Sequence, residues 1–312
     1  MLQDVGKICS SRDMKKSTLI DVGFIFLLIS AWAIAWTAIP MGIGTNGFFG
    51  NFFLTHTVLK LATIFVVMAH LTISAMSICF HRQHTHQALR LSKGVDMAMQ
   101  TWLWAISSIS KLDWVSVHVY HHVYSDTDKD PHSPKQKGLA HVFFLGVFDY
   151  AKAKGWPEVR KIRERIPANA YERFIAGHTF MAPVILTALL MIAFGPKYGT
   201  ILSVLNFAIT PLFAVGGVNA LAHAFGYQNY DSKDESRNLG FLVPLNWIIA
   251  GELDHNNHHK YPKSPNFAHR WFEFDFGFFY VRGLNSIGLA AITGTVPRYV
   301  DVVSKSEVAI TA

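Results

Sequence analysis

Four groups of residues in this 312-residue chain have the types and spacing to do chemistry: HRQHTH at 81–86, HVYHH at 118–122, NALAH at 219–223 and HNNHH at 255–259. His118, His121 and His122 stand at i, i+3 and i+4, as do His255, His258 and His259, so on a helix each triplet shares one face. Asn219 and His223 are i, i+4 neighbours in the same sense. His81 and His86 are five residues apart, about 140° around an α-helix. That spacing suits two neighbouring ions, or a helix that breaks between the two rings. Three imidazoles on one face repel when charged and gain little when neutral without a metal. The nine rings are too many for one ion and about right for two. Neutral imidazole binds iron, zinc, copper and nickel alike, so ligand type does not name the metal. Glu252-x-x-His255 is the single Glu-x-x-His match, so the paired scheme of soluble carboxylate-bridged di-iron bundles is not supported.

The remaining histidines carry a plainer reading. His56, His70, His141, His178 and His269 stand alone and are read as structural or solvated. His84 inside the first cluster and His132 in DPH are left outside the ligand set. Glu252, Asp254, Asp130 and Asn257 are candidates to orient imidazoles from behind. Asp126, Asp128 and Asp130 in SDTDKD read as a turn, with a docking surface as the alternative and no full calcium loop around them. Two cysteines, Cys9 and Cys79, exclude a disulfide scaffold, a thiolate zinc site and a built-in iron–sulfur cluster.

The elements that must position these residues are apolar. Half of the chain (51%) is hydrophobic and only 16% is charged, too little charge to cover a soluble surface of this size. The expected class is an all-α integral membrane protein, one domain over 1–312. Uncharged runs predict four spans, at about 22–41, 61–80, 174–195 and 198–218, each near the length that crosses a bilayer. Gly195-Pro196 divides the last two. The 20-residue first run is longer than a cleaved signal and is read as a retained span. Shorter apolar runs at Met97–Ser110, Leu239–Gly251 and Gly283–Val296 predict interfacial or packed helices. Lys and Arg gather before the first span, between the second and third, and after the fourth. Both termini and a cap at 81–173 and 224–312 are therefore expected on the cytoplasmic side, as in a multi-pass protein of a bacterial inner membrane. All four histidine groups fall on that side. The net charge of +7 is then topology and headgroup attraction, not a nucleic-acid stripe.

At these motifs the sequence resembles the membrane fatty acid desaturases, in their stearoyl-CoA desaturase-like Δ9 branch. That branch has an H-x4-H box, an H-x2-HH box, an N-x3-H pair and a final H-x2-HH box, in the order found here. YSDTDKDPHSP, DSKDESRN and Gly251-Glu252 add to the likeness, which covers roughly residues 56–295. The resemblance implies a four-helix membrane stem with a helical cytosolic cap. It also implies two iron ions held by His81, His86, His118, His121, His122, His223, His255, His258 and His259, with Asn219 acting through water. The activity implied is oxygen-dependent desaturation of a saturated acyl chain, with O2 as co-substrate. Val119 replaces the basic residue usual after the first histidine of the second box, and Ser116-Val117 stand where animal acyl-CoA enzymes tend to have Arg-Asp. Acyl-CoA is still the carrier expected first, with a phospholipid-bound chain as the alternative.

An unactivated chain has no polar handle near its reacting carbons, so position must be set along a narrow apolar tunnel. Trp102, Trp104 and Trp114 are candidate wall residues, with interfacial anchoring as the alternative. Electrons must arrive from a separate ferredoxin, rubredoxin or cytochrome b5-type donor with its reductase. Lys152, Lys154, Arg160, Lys161 and Arg163 offer a basic face to an acidic partner, or to lipid headgroups. The rivals are a membrane alkyl or acyl hydroxylase and, from another class, a metal carrier or sensor.

Overall fold

The computed structural model describes residues 57–297, so the expected first span at 22–41 and His56 lie outside the described residues. The described chain is mostly helical and forms two compact units. One contains residues 57–65, 103–110 and 168–207; the other contains 66–102, 111–167 and 208–297.

The first unit holds all but the last four residues of Met181–Pro211, a helical hairpin broken at Gly195, whose φ of 79° lies outside the helical region. Thr187 and Ser203 hydroxyls meet at 2.6 Å. Sixteen residues of straight helix would separate them by roughly 24 Å, so the chain has doubled back. The break at Gly195-Pro196 is where the sequence puts it. The start is not: residues 174–177 end a separate helix, Ala170–Gly177, opened by a reciprocal Asn169–Glu172 capping box. Its partner core is Trp104, Ile175 and Ala182, and the Trp104 indole donates to the His178 carbonyl at 2.9 Å.

The second unit takes residues 66–75 of the helix Thr57–Ala75, which continues as a ten-residue π-helix, Met76–Thr85. The helix Lys111–Tyr124 lays Val117 and Tyr120 against Ala153 and Val159 of the following helices. Its histidines occupy the adjoining face. A second π stretch, Leu212–Ala220, leads through a single 3-10 turn to His223. The final histidine triplet sits on the short buried helix His255–Lys260. Among the described residues, two helical stretches are long and apolar enough to cross a membrane, Thr57–Thr85 and Met181–His223.

Two of the short apolar runs are not the helices expected. Leu239–Gly251 is helical only at Val243–Ile248, opened by Pro244 near its first turn and closed by Ala250 and Gly251 at positive φ. Gly283–Val296 holds the end of the helix Phe276–Ser286, a turn at Gly288, and the strand Ala290–Ile292. That strand pairs antiparallel with Leu89–Leu91, a small sheet in a fold expected to be all α. Alternation over three residues is too short a signal to separate from a helix end.

Candidate metal centre

The structure gathers all nine expected histidines into two groups. His81, His86, His118, His122 and His258 form one; His121, His223, His255 and His259 form the other. Within each group one ring nitrogen per residue lies within 4.8 Å of all the rest. The π-helix explains how His81 and His86 come to share a group. Its hydrogen bonds close i→i+5 loops, as His86 N to His81 O does at 3.1 Å. Residues five apart therefore return to one side, with ring centroids 5.0 Å apart. The α-helical angle of 140° does not apply here, and neither a break nor a second ion is needed to seat both.

The first group shows why these rings need a cation. Nε2 of His258 lies 2.9 Å from Nε2 of His81 and 3.0 Å from Nε2 of His122. Nε2 of His122 lies 3.0 Å from that of His118, which is 3.4 Å from His86. A neutral ring nitrogen either donates one proton or accepts. Five nitrogens in a row with four close contacts therefore cannot hydrogen-bond at every contact. Separations near 3 Å are instead those of two ligands at right angles on one ion, at the roughly 2.1 Å of a metal–imidazole bond.

The second group makes the same case through its carboxylates. Nδ1 of His121 meets Asp130 at 2.9 Å, Nδ1 of His223 meets Asp126 at 2.8 Å, and Nδ1 of His259 meets Asp234 at 2.6 Å. Each carboxylate fixes the proton on Nδ1 and leaves Nε2 a bare lone pair. Those three Nε2 atoms, and that of His255, are buried without a hydrogen-bond partner. Four converging orphan lone pairs are what a metal ion requires. In the first group Glu252 performs the same service on Nδ1 of His81, at 2.8 Å.

Electrostatics keep the rings ready to bind. Burial, reinforced by neighbouring imidazoles, holds the pKa values of His86, His118, His122, His255 and His258 well below the ordinary value. Burial also lowers His259 to about 4, although Asp234 opposes it. Burial disfavours the charged form of Asp126, Asp130, Asp234 and Glu252, but hydrogen bonds and charge from their histidines prevail and hold all four below the usual range.

Glu252 is itself held by Arg82, fully buried, whose guanidinium reaches Glu252 at 3.2 Å and Asp275 at 2.7 Å and stacks on Phe267. Gly251 precedes Glu252 at φ 86°, and a Cβ there would collide with the Asp275 carboxylate. This is the local reason for glycine in the Gly251-Glu252 pair.

Of the four acids and amides expected to orient imidazoles, Glu252 and Asp130 do so. Asp254 instead faces Asn246, and Asn257 bonds Asn229, Asn238 and Glu273. Asp126 and Asp130 lie in the expected turn but are buried anchors, not a docking surface. Asp234, within DSKDESRN, carries no signal of this role in the sequence, because an acid in a loop gives no periodic pattern. His84 pairs with Asp96 at 2.8 Å, beside Cys79, in a separate cluster. His132 lies beside His121 and Asp130, its Nε2 buried and unpartnered.

Asn219 lines a cavity of about 90 Å3 with His81, His118, His255 and apolar Ile73, Val117 and Val218. Trp114 closes it, its ring stacked on His118 at 4.5 Å between centroids. Trp102 and Trp104 take no part in that wall: Trp102 faces another cavity and Trp104 packs in the first unit.

Two groups of imidazoles that could each hold a metal ion lie beside an apolar cavity, and comparison identifies the family. Residues 56–273 match the family model for fatty acid desaturase, well over half of the chain, and the chain belongs to that family. It is 30% identical to Delta-9 desaturase-like 4 protein of Arabidopsis thaliana, over 89% of this chain and 83% of the relative. It is 27% identical to Delta-9 acyl-lipid desaturase 2 of the same plant, over 77% and 75%. A hex-5-enoyl-[acyl-carrier protein] acetylenase from Moorena producens is 28% identical, over 72% and 74%.

Proposed function

We propose that this protein introduces a cis double bond at the Δ9 position of a saturated, lipid-linked acyl chain, using O2 and a di-iron centre. The carrying observation is the five-and-four division of nine histidines, five buried and four half-buried, beside an apolar cavity. Bound in these groups, two iron ions would supply oxygen activation and removal of the two hydrogens. The nine histidines are the proposed ligands, and Asn219, in the cavity it shares with His81, His118 and His255, the water-mediated contact. Asp126, Asp130, Asp234 and Glu252 hold four rings in orientation. Trp114, Ile73, Val117 and Val218 exclude water and fix which methylenes face the histidines.

The relative called an acyl-lipid desaturase supports the lipid-linked carrier, as does the absence of charge at Ser116-Val117; acyl-CoA is the alternative. Four membrane spans, both termini in the cytoplasm of a bacterium, and an external ferredoxin, rubredoxin or cytochrome b5-type donor complete the proposal. Lys154 and Arg163 already engage Asp113 at 3.7 and 2.9 Å, which leaves Lys152, Arg160 and Lys161 for an acidic donor.

The test is expression in a bacterium lacking aerobic desaturases, with fatty acids analysed by gas chromatography–mass spectrometry and double bonds located by derivatisation. Oxygen-dependent Δ9 chains, appearing first in phospholipid and lost in His118→Ala, are expected. Hydroxylated chains would move the assignment to a hydroxylase. No product even with donor and reductase supplied would overturn it.

A further inference from the structure

The helix Thr57–Ala75 and its π continuation form a wall between two cavities. Ile73, Met76, Ser77 and His81 face the small one beside the histidines. On its other side His70, Leu71, Ser74, Ala75 and Ile78 face an open cleft of about 970 Å3. That volume is at the upper end of ligand sites, roughly 300–1,000 Å3. The opposite walls are Trp102 and the helix Phe276–Ser286, with Leu284 and Ile287. The polar groups of this lining are mostly committed within the protein. Trp102 Nε1 donates to Thr72 Oγ1 at 3.0 Å, and Nε2 of His70 meets the Tyr280 hydroxyl at 2.8 Å. Their apolar faces are left to the cleft.

Two polar groups remain. The Ser74 side chain, in a residue 7% exposed, is buried at the cleft wall with no hydrogen-bond partner for its hydroxyl. Arg282 stands exposed at the rim and forms no ion pair among the described residues. A long apolar trough with one orphan hydroxyl inside and one free cation at its edge is complementary to an amphiphile with an anionic head.

We propose that this cleft binds an anionic phospholipid, its acyl chains against Leu71, Ala75, Ile78 and Trp102 and its phosphate at Arg282, apart from the acyl chain at the histidines. The inference rests on the membrane reading above. A lipid seated there would brace the outer face of the helix whose inner face carries His81.

The test uses the full-length, metal-loaded protein in phosphatidylcholine vesicles. A small fraction of phosphatidylglycerol carries a diazirine midway along one acyl chain. After irradiation, adducts are mapped by mass spectrometry. Adducts are expected on peptides containing Leu71–Ile78 and 279–287. Arg282→Gln should reduce them about fivefold, the effect of roughly one surface cation on an anionic lipid. Ser74→Leu, which narrows the cleft and removes its unpartnered hydroxyl, should reduce them further. Both variants should keep two metal ions per chain. If Ser74→Leu fails to fold, Arg282→Gln, at an exposed position, carries the test alone.

Adducts confined to peptides around Trp114, equal labelling by a phosphatidylcholine probe, or stronger labelling by a diazirine fatty acid would each overturn the proposal. Failure of the desaturase assignment looks different: cleft labelling persists while no new double bonds form.

Discussion

Asp126 and His223 meet across 97 residues of sequence, the carboxylate Oδ2 2.8 Å from Nδ1 and both side chains buried. The same Oδ2 accepts the backbone N–H of Glu235 at 2.8 Å, and Oδ1 accepts from Ser133 at 2.6 Å. Asp126 thereby also secures the loop that brings Asp234 to His259. One acid fixes two of the four rings in the second histidine group, one directly and one through the loop.

Asp126→Ala should therefore lower metal affinity in that group by about 10- to 100-fold, the usual cost of losing a carboxylate behind a ligating imidazole. Metal analysis after graded chelator challenge should show one ion leaving well before the other. Two ions retained as tightly as in the unmodified protein would refute the role.

Trp114→Ala removes the ring stacked on His118 and opens the wall of the small cavity. Activity should fall on the order of a hundredfold through misplacement of the reacting carbons. What remains should yield double bonds at several positions. A single product position at undiminished rate would show that Trp114 does not set the register.

Arg82→Met leaves Glu252 and Asp275 buried beside each other without their shared cation. Breaking a buried pair from one side costs about 3–5 kcal/mol, so the variant should accumulate poorly and melt earlier. Loss of the Glu252 position should also weaken metal binding at His81. Fluorescence-detected melting in detergent, with metal analysis of the surviving fraction, reads both effects.

The metal-free protein should be acid-labile. An unfolded chain presents imidazoles near 6.5, whereas burial holds His132 and His259 at about 4 in the fold. Below 6.5 the unfolded state binds more protons, so stability falls as pH drops from 6.5 toward 4. His86, His118, His122, His255 and His258 shift in the same sense. His121 opposes them: burial lowers it, but Asp130 and other acids outweigh that and raise it. Melting temperature of the metal-free protein, scanned from pH 7.5 to 4.5, should change little down to about 6.5 and fall below it. A flat profile would contradict the buried, neutral state of these rings.

The triplets at His118 and His255 were legible because helical spacing survives translation into structure unchanged. The hairpin at Gly195 was legible because Gly-Pro punctuates an apolar run. The shared side of His81 and His86 was not legible, because a π-helix changes the angular step and composition gives no warning of that geometry. Asp126 and Asp234 were harder still. Both sit in loops, where only the folded path of the chain decides which acid reaches which ring. Asp254 and Asn257, adjacent to the last triplet in sequence, were natural choices, yet the short helix turns them toward other amides and acids.

The separations within the centre also set an order of assembly. His81 touches His258 across 177 residues, so the first group is incomplete until nearly the whole chain exists. At ordinary synthesis rates of 5–20 residues per second, His81 waits on the order of ten seconds or more for its partner. During that interval the early histidines are open to whichever divalent ion binds imidazole most strongly, and copper and zinc outrank ferrous iron. Under the di-iron proposal, loading is therefore sensitive to which metal the cell offers while the early histidines wait for His258 and His259.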